Sequence, residues 1–351
     1  MENINLFYRE VVLRILSFFY KLYARITFKK FDCTTLRGTE GGLFYVNSDM
    51  TVSCNCQDID ASGRLCDLNE VSFEHILGGE KATSFRDKLI NGYLPILRCV
   101  ICPSLRVVKD IEDKDTYSLP KGFAIENTSL CPLKCDSCPR EKIARIRKKG
   151  RSMSLADIEK LAKNLRDINA VECNFVNLGE PFLSRNVLSE LEIIKKYNPE
   201  IKILTSTNCM ILDSTEKRKA ALLTDHIIVS IFGISSEMCG RYQRNLDFDK
   251  SYENLKRLIE FRNSQGNARP YIVWHYVVFR WNDKPEYIEK AIELSKEAGV
   301  DEMVFTFSRT PVYGMSWRFI LNLPPFNSEL CRQRSWRSRK ILGAGRFPAY
   351  P

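Results

Sequence analysis

Residues 131–138 read CPLKCDSC, which places Cys131, Cys135 and Cys138 in a C-x3-C-x2-C spacing directly after an apolar run at residues 122–126. A four-iron cluster normally takes four thiolates, so three thiolates this close can hold a cluster and leave its fourth iron open to a small molecule. The alternative is zinc, but a structural zinc site needs a fourth Cys or His. Residues 139–151 contain neither. The spacing therefore favours an iron–sulfur cluster with an open iron.

Short apolar runs alternate with helix-period stretches in the rest of the chain. The predicted strands are residues 122–126, 171–178, 201–208, 226–233, 270–279 and 302–309. Helices are predicted over residues 155–168, after the capping-box pair Ser154 and Asp157, and over residues 285–298. This alternation predicts βαβ units and a parallel sheet or barrel, with functional groups at the carboxyl ends of the strands.

The three-cysteine loop and its place after the first predicted strand resemble those of the radical SAM enzymes. The resemblance implies an α/β fold whose core, over residues 118–310, is a partial (β/α)6 TIM-type barrel. It also implies a 4Fe-4S cluster whose open iron is chelated by S-adenosylmethionine. One electron then breaks the sulfonium bond, and a 5′-deoxyadenosyl radical abstracts hydrogen from a substrate. An oxidoreductase or maturase type of enzyme is expected, with a one-electron reductant such as flavodoxin or ferredoxin as a partner.

Three further motifs at predicted strand ends resemble those of the same family. Residues 178–181 read LGEP, similar to the family's Gly-Gly-Glu-Pro motif, which holds the methionine amino group. Residues 206–209 read STNC, similar to S-T-N-G near the adenosine, and residues 229–233 read VSIFG, similar to V-S-I-D-G, whose Ser contacts the cofactor. Each differs from the family pattern at one position: Leu178, Cys209 and Phe232.

An arginine near residue 244 is expected on the methionine carboxylate, because relatives place one there and a guanidinium fork suits a carboxylate. Arg244 is slightly favoured over Arg241. The alternative is that the serine is an ordinary turn residue and that the arginine is solvated. The cofactor-binding residues implied by the resemblance are Gly179, Glu180, Pro181, Ser206, Asn208, Ser230 and Arg244.

A second cysteine-rich stretch precedes the predicted barrel and resembles SPASM-type domains, which carry auxiliary four-iron clusters. The resemblance implies a small N-terminal α+β domain over residues 32–117 and one auxiliary cluster. Cys99 and Cys102 are the expected ligands, with Cys66 and either Cys54 or Cys56 as complements. A zinc knuckle is the alternative.

Residues 1–31 are predicted to form an amphipathic helix with a narrow basic stripe and a broad apolar remainder. Its uncharged runs are too short to span a bilayer. An interfacial helix that contacts an anionic membrane through residues 3–30 fits this pattern, helped by 53 Lys and Arg against 43 Asp and Glu, a net charge of +10. A core or dimer-packing helix fits equally. Nucleic-acid binding is not expected, because the basic run at 148–151 is short and the Arg332 to Lys340 tail, within the basic C-terminal extension at 311–351, has no recognisable fold.

Location and function follow from these features as expectations. Clustered cysteines and no visible signal peptide predict a cytoplasmic protein, peripheral on the inner membrane face. His275, in the middle of a predicted strand, is interpreted as a core residue. The predicted function is a radical SAM enzyme with an auxiliary cluster, acting on an unidentified peptide, sugar or lipid-linked precursor. The alternative is a non-catalytic iron–sulfur or zinc protein that carries electrons or serves as a scaffold.

Overall fold

The computed structural model describes residues 2–39, 42–54, 58, 60–110, 117–146 and 152–326. Its strands, in chain order, are β1 (Lys30–Cys33), β2 (Phe44–Val46), β3 (Thr51–Ser53), β4 (Arg64–Asp67), β5 (Leu105–Val108), β6 (Gly122–Ile125), β7 (Lys134–Cys135), β8 (Glu172–Asn174), β9 (Lys202–Thr207), β10 (His226–Ser230), β11 (Gln243–Arg244), β12 (Tyr271–Val278) and β13 (Glu302–Phe307).

The α-helices are α1 (Glu2–Ile26), α2 (Thr34–Arg37), α3 (Glu80–Ile90), α4 (Arg140–Ile146), α5 (Leu155–Asp167), α6 (Val187–Tyr197), α7 (Thr215–Leu222), α8 (Ser236–Gly240), α9 (Phe248–Ser264), α10 (Pro285–Ala298) and α11 (Trp317–Ile320). Short 3-10 helices lie at Phe73–His75, Leu97–Ile101, Pro181–Leu183 and Val312–Gly314. The chain divides into two compact units, each taken over its described residues. Unit 1 comprises Met1–Asn127 and Pro139–Asn177, and unit 2 comprises Thr128–Cys138 and Leu178–Pro351.

Unit 1 contains a short parallel sheet extended by an antiparallel hairpin. Strand β6 pairs in parallel with β2 on one side and β8 on the other, and β2 continues into the hairpin β3–β4. All four residues of β6 are buried. The stacked rings of Phe73 and Phe123, with centroids 4.6 Å apart, form part of this core. A separate antiparallel pair, β1 with β5, sets Cys33 opposite Leu105.

Unit 2 is built on four parallel strands in the order β9-β10-β12-β13. Strand β12 is buried from Ile272 to Val278, as expected for a central parallel strand covered on both faces. Helices connect the strands in sequence: α7 follows β9, α9 follows β10, and α10 follows β12. The carboxyl ends of these strands therefore lie along one edge.

Each predicted strand forms, and the parallel α/β architecture is confirmed. The strand predicted at 171–178 is shorter, because the N–H of Val176 donates to the carbonyl of Asn174 at 2.8 Å and turns the chain. The capping box of Ser154 and Asp157 begins α5, and α10 ends at Gly299, which adopts a left-handed φ of 76°. Closure into a partial barrel and the predicted boundaries at 32–117 and 118–310 remain predictions.

The predicted N-terminal helix is also present as α1, whose side chains are described from Glu10 onward. Within the described residues, no helix is both long and apolar enough to cross a membrane. Cys56, the basic run at 148–151 and the part of the C-terminal extension at 327–351 lie outside the described residues.

Candidate active site

Backbone pairing anchors the three-cysteine loop at its second cysteine. Strand β7 pairs antiparallel with β11, so that Cys135 lies opposite Gln243. The N–H of Asp136 donates to the carbonyl of Tyr242 at 2.9 Å, and the N–H of Cys138 donates to the carbonyl of Cys135 at 3.1 Å. The loop backbone is therefore held by hydrogen bonds within unit 2.

Asp136, between Cys135 and Cys138, accepts hydrogen bonds from two distant side chains. Its side chain is almost fully buried and accepts from the guanidinium of Arg244 and, at 2.6 Å, from the hydroxyl of Tyr313. Burial and the hydrogen bond to Asp136 raise the pKa of Tyr313 to about 12. Arg244, the residue expected on the methionine carboxylate, thus pairs with the three-cysteine loop, while 45% of its side-chain surface remains exposed. Arg241 pairs with the exposed Glu237 on its own helix.

The Gly179-Glu180-Pro181 turn is pressed against the start of the cysteine loop. The N–H of Glu180 donates to the carbonyl of Leu130 at 2.7 Å. A Cβ on Gly179 would lie 1.8 Å from the carbonyl oxygen of Thr128, so a side chain does not fit there. Pro181 begins a 3-10 helix, where its missing N–H costs nothing. This turn requires glycine because two backbones approach closely, not because of φ.

The carboxylate of Glu180 is buried in this region. Its side chain is 2% exposed. Oε2 accepts from the backbone N–H of Asn208 at 2.9 Å, whereas Oε1 is buried without a hydrogen-bond partner. Burial raises the pKa of Glu180 to about 7, and the Asn208 N–H, followed by weaker contacts from the Thr207 side chain and the Phe182 N–H, acts in the opposite direction. A buried acceptor without a hydrogen bond destabilises the protein, so this oxygen is suited to bind a cationic ligand that donates one.

Asn208 connects Glu180 to the first cysteine. Its side-chain Nδ2 lies 3.9 Å from Sγ of Cys131, and its Oδ1 accepts from the N–H of Met210 at 3.0 Å. The next residue, Cys209, is fully buried and adopts a left-handed φ of 60°. The family resemblance has Gly at this position, which suits such a φ. The carbonyl of Cys209 accepts from Nδ2 of Asn254 at 2.8 Å, and this bond holds the turn.

Ser206 and Ser230 meet across neighbouring parallel strands, with their hydroxyl oxygens 3.2 Å apart. The side chain of Gln243 ties the end of β10 to the cysteine loop: its amide donates to the carbonyl of Ser230, and its oxygen accepts from the N–H of Phe232, both at 2.8 Å. Sequence reasoning did not single out Gln243. It lies between Arg241 and Arg244, the two arginines considered for the methionine carboxylate, and its position opposite Cys135 comes from strand pairing that the sequence does not reveal.

His275 is buried at the same strand ends. It lies beside Ser230 in the pairing of β10 with β12, and its Nε2 is 2.7 Å from the hydroxyl of Thr306. The ring of Phe232 meets it edge to face at 5.7 Å. Burial lowers the pKa of His275 to about 4, so the imidazole is neutral at physiological pH. It is a satisfied buried residue, as the sequence suggested, that adjoins a predicted site residue.

The cysteines of unit 1 group in an unexpected way. Cys99 lies in the 3-10 helix Leu97–Ile101, and the N–H of Cys102 donates to its carbonyl at 3.1 Å. Cys33 ends β1 opposite Leu105, three residues beyond Cys102. Burial is the main reason that the pKa of Cys33 is raised to about 12, and the neighbouring Cys102 and Cys99 thiols raise it further. Cys33 is therefore close to both, which no spacing signal could indicate because 65 residues separate it from Cys99 in sequence.

The other predicted ligands of unit 1 lie on the hairpin. Cys66 is in β4 opposite Val52, and burial raises the pKa of its thiol to about 11. Cys54 follows β3, and its N–H donates to the carbonyl of Gly63 at 3.0 Å. None of the cysteines that the structure describes forms a disulfide. Among the described residues, no three His, Cys, Asp or Glu side chains are arranged to hold a single metal ion.

Comparison with known families gives a match over the segment that carries this geometry. Residues 125–268 match the radical SAM superfamily. The match covers 144 of the 351 residues, so it is a similarity of this segment. The matched segment contains the three-cysteine loop and each cofactor-binding residue expected from the sequence. It ends before β12, so His275 lies beyond it.

Individual relatives are distant. The homocitrate synthase of Pyrococcus abyssi (strain GE5 / Orsay) is 24% identical over 136 residues, 39% of this chain and 36% of that protein. Streptococcus suis SuiB bound to S-adenosylmethionine is similar with a TM-score of 0.44 and 16% identity, covering 79% of this chain and 65% of SuiB. The radical S-adenosylmethionine methyltransferase TsrM from Kitasatospora setae, with cobalamin and a 4Fe-4S cluster bound, has a TM-score of 0.41 and 13% identity, covering 52% and 34%. The chain thus spans less than two thirds of each relative, and no functional role is taken from them.

Proposed function

We propose that this chain is a radical SAM enzyme whose cluster is held by Cys131, Cys135 and Cys138. Bound there, the cluster and S-adenosylmethionine would supply one-electron reductive cleavage and a 5′-deoxyadenosyl radical that takes hydrogen from a substrate. One observation carries the proposal. The buried, unpaired Oε1 of Glu180 belongs to a carboxylate that is joined through Asn208 to the first cysteine. An electron carrier would have no use for such an acceptor beside its cluster.

The residues of this chain would divide the binding task by chemistry. Oε1 of Glu180 would accept from the ammonium group of the methionine moiety, which satisfies the orphaned oxygen. Arg244 offers five N–H donors, so its guanidinium can stay on Asp136 and still bind a carboxylate with its exposed edge. The paired hydroxyls of Ser206 and Ser230 suit hydroxyl groups of a ribose.

The cysteines of unit 1 would hold a second iron–sulfur cluster, as an auxiliary SPASM-like site. Cys33 joins Cys99 and Cys102 as a proposed ligand. The pairing of β1 with β5, and the electrostatic interaction of Cys33 with both other thiols, support this assignment. Cys54 and Cys66 remain candidates for the fourth position. A redox role for this centre would require iron, whereas zinc would make it structural.

The substrate, the reductant and the location remain proposals of a general kind. A peptide, a sugar and a lipid-linked precursor are each compatible with an oxidoreductase or maturase activity. Flavodoxin or ferredoxin would supply the electron. We place the protein in the cytoplasm, since the thiolates must stay reduced. A non-catalytic iron–sulfur or zinc protein is the competing function, and cleavage of S-adenosylmethionine separates the two.

The decisive experiment is anaerobic reconstitution with iron and sulfide, followed by iron counting and by an assay for 5′-deoxyadenosine under dithionite. We expect about eight irons per chain in the wild-type protein and about four in the Cys131→Ala/Cys135→Ala/Cys138→Ala variant. Each single substitution in the loop should abolish cleavage. Cys173→Ala, at a buried cysteine of β8, is the matched control and should keep both iron and activity.

The same preparation tests the second centre. In the triple-alanine background, Cys33→Ala should remove the remaining irons, as Cys99→Ala should. Stoichiometric zinc in that background would reject the auxiliary cluster but leave the barrel site standing. Undiminished cleavage without the loop cysteines would reject the proposed function itself.

A further inference from the structure

Helix α1 buries one face and exposes another that is equally apolar. Leu13, Ser17 and Ala24 are buried, and the helix contacts the 3-10 helix Leu97–Ile101. At about 100° per residue, these three side chains share one side of the helix. The exposed apolar face, on the far side, consists of Val11, Ile15, Leu16, Phe18, Phe19, Leu22, Tyr23 and Ile26. Because the buried side already anchors the helix, the exposed apolar face is available to a partner.

Basic residues border the exposed apolar face along one edge. Arg14, Lys21 and Arg25 are exposed and fall within about 40° of one another around the helix axis. Glu10 lies beside them and pairs with Arg14 at 2.9 Å, so the net positive charge of this edge comes from Lys21 and Arg25. Phe18, which is 62% exposed, follows next around the helix. The order around the axis is a buried side, a basic edge and an apolar face. Interfacial helices have this arrangement, with Lys and Arg at the level of the lipid headgroups.

The end of the helix extends this surface. Phe28 exposes 88% of its surface. It also adopts a left-handed φ of 53°, which is uncommon for a bulky residue. The ammonium of Lys29 donates to the hydroxyl of Tyr23 at 2.8 Å and lies 5.2 Å from the centre of its ring. Aromatic rings and Lys side chains in contact are typical of the boundary between headgroups and acyl chains.

We propose that α1 docks this chain on an anionic lipid surface, with the exposed apolar face at the acyl boundary and the basic edge among the headgroups. Charge selects this occupant. A second copy of the chain would bring another +10 of charge to the basic edge, whereas anionic lipids bring the opposite sign. Insertion of the aromatic rings then adds the hydrophobic contribution that electrostatics alone lacks.

The test is co-sedimentation of the full-length, reconstituted protein with vesicles of phosphatidylcholine alone or mixed with phosphatidylserine. Wild-type protein should bind the mixed vesicles much more tightly. Phe18→Ser/Phe19→Ser/Ile26→Ser should weaken that binding by roughly 100-fold or more, since each side chain loses apolar burial. Lys21→Gln/Arg25→Gln should weaken it by about 25-fold, at about fivefold per basic residue, and only on the mixed vesicles.

Matched controls lie on exposed sites of unit 2. Trp317→Ser/Leu321→Ser removes a comparable exposed apolar area, and Lys290→Gln/Lys296→Gln removes the same charge. Both should bind vesicles like the wild type. Equal loss in either control would overturn the assignment to α1. Wild-type protein that ignores both vesicles, but sediments as a dimer that the triple serine variant dissociates, would show that a second copy occupies this face instead. Because the substituted side chains are exposed, unchanged circular dichroism should accompany every variant.

Discussion

The affinity for S-adenosylmethionine should depend on pH through one buried carboxylate. Glu180 has a pKa raised to about 7 by burial, and Oε1 is proposed to accept from the ammonium of the ligand. Protonated Glu180 cannot make this charge-assisted bond, so binding below pH 7 must first expel a proton. The ligand's α-amino group, with an ordinary pKa of about 7.7–8.0, is about two-thirds cationic at pH 7.5 and almost fully cationic at pH 5.5, so acid favours the ligand form that binds. Acid therefore weakens binding through Glu180 and not through the ligand.

The magnitude follows from the ionised fraction of Glu180. With a pKa of about 7, roughly three-quarters of the carboxyl groups are ionised at pH 7.5 and about one in thirty at pH 5.5. The apparent dissociation constant should therefore rise by about 25-fold through Glu180 alone, and by about 15-fold once the rising ammonium fraction of the ligand is included. A glutamate with an ordinary pKa near 4.5 would change it by only about 10% through its own ionisation.

Isothermal titration calorimetry on anaerobically reconstituted protein measures this directly, with the cluster absorbance recorded at each pH. Glu180→Gln keeps the shape and the acceptor for the Asn208 N–H but has no charge to titrate. It should bind weakly and with nearly the same affinity at both pH values, with unchanged iron content. A wild-type affinity that is flat between pH 7.5 and 5.5, or a Glu180→Gln variant with the wild-type pH profile, would refute the role given to Oε1.

Three further outcomes are expected. In cofactor-free protein, the raised pKa of Glu180 favours the folded state below pH 4.5, and this contribution is lost as pH rises toward 7. The wild-type free energy of unfolding, measured by urea titration, should therefore fall by about 3 kcal/mol relative to that of Glu180→Gln between these pH values. Gly179→Ala should lower stability by about 3 kcal/mol or prevent folding, because its Cβ would meet the Thr128 carbonyl at 1.8 Å, whereas Gly240→Ala, which meets nothing within 4 Å, should be neutral in thermal unfolding. Cys209→Gly should change stability by no more than about 1 kcal/mol, because relief at φ 60° offsets the lost thiol, while Cys209→Val should cost about 2 kcal/mol.

Local sequence rules predicted much of the architecture. Alternating apolar runs gave the parallel strands of unit 2, since a buried strand such as β12 must be apolar on both faces. The capping box at Ser154 and the left-handed Gly299 mark helix ends whose hydrogen bonds are made within a few residues. Signals of this kind need no knowledge of distant partners, so they can be read from a single sequence.

Contacts between distant segments could not be predicted in this way. Cys33 comes near Cys102 because β1 pairs with β5. The pairing of Asp136 with Arg244 joins residues 108 positions apart, and the bridge of Gln243 to Ser230 depends on the same β7–β11 pairing. Each partner looks ordinary in its own segment. Their proximity is a property of the fold, and sequence spacing carries no trace of it.

Backbone contacts hold the chain at two positions where it departs from the motifs that it resembles. The contact between Glu180 and the cysteine loop runs through the Glu180 N–H and the Leu130 carbonyl, so Leu178 can replace glycine beside it. The N–H of Phe232, not its side chain, is bound by Gln243. The ring of Phe232 instead packs against His275 and helps to keep that imidazole buried and neutral. A substrate near this strand end would therefore meet a neutral hydrogen-bonding histidine and an aromatic ring. Substitutions at Phe232 should consequently alter substrate choice before they alter the binding of S-adenosylmethionine.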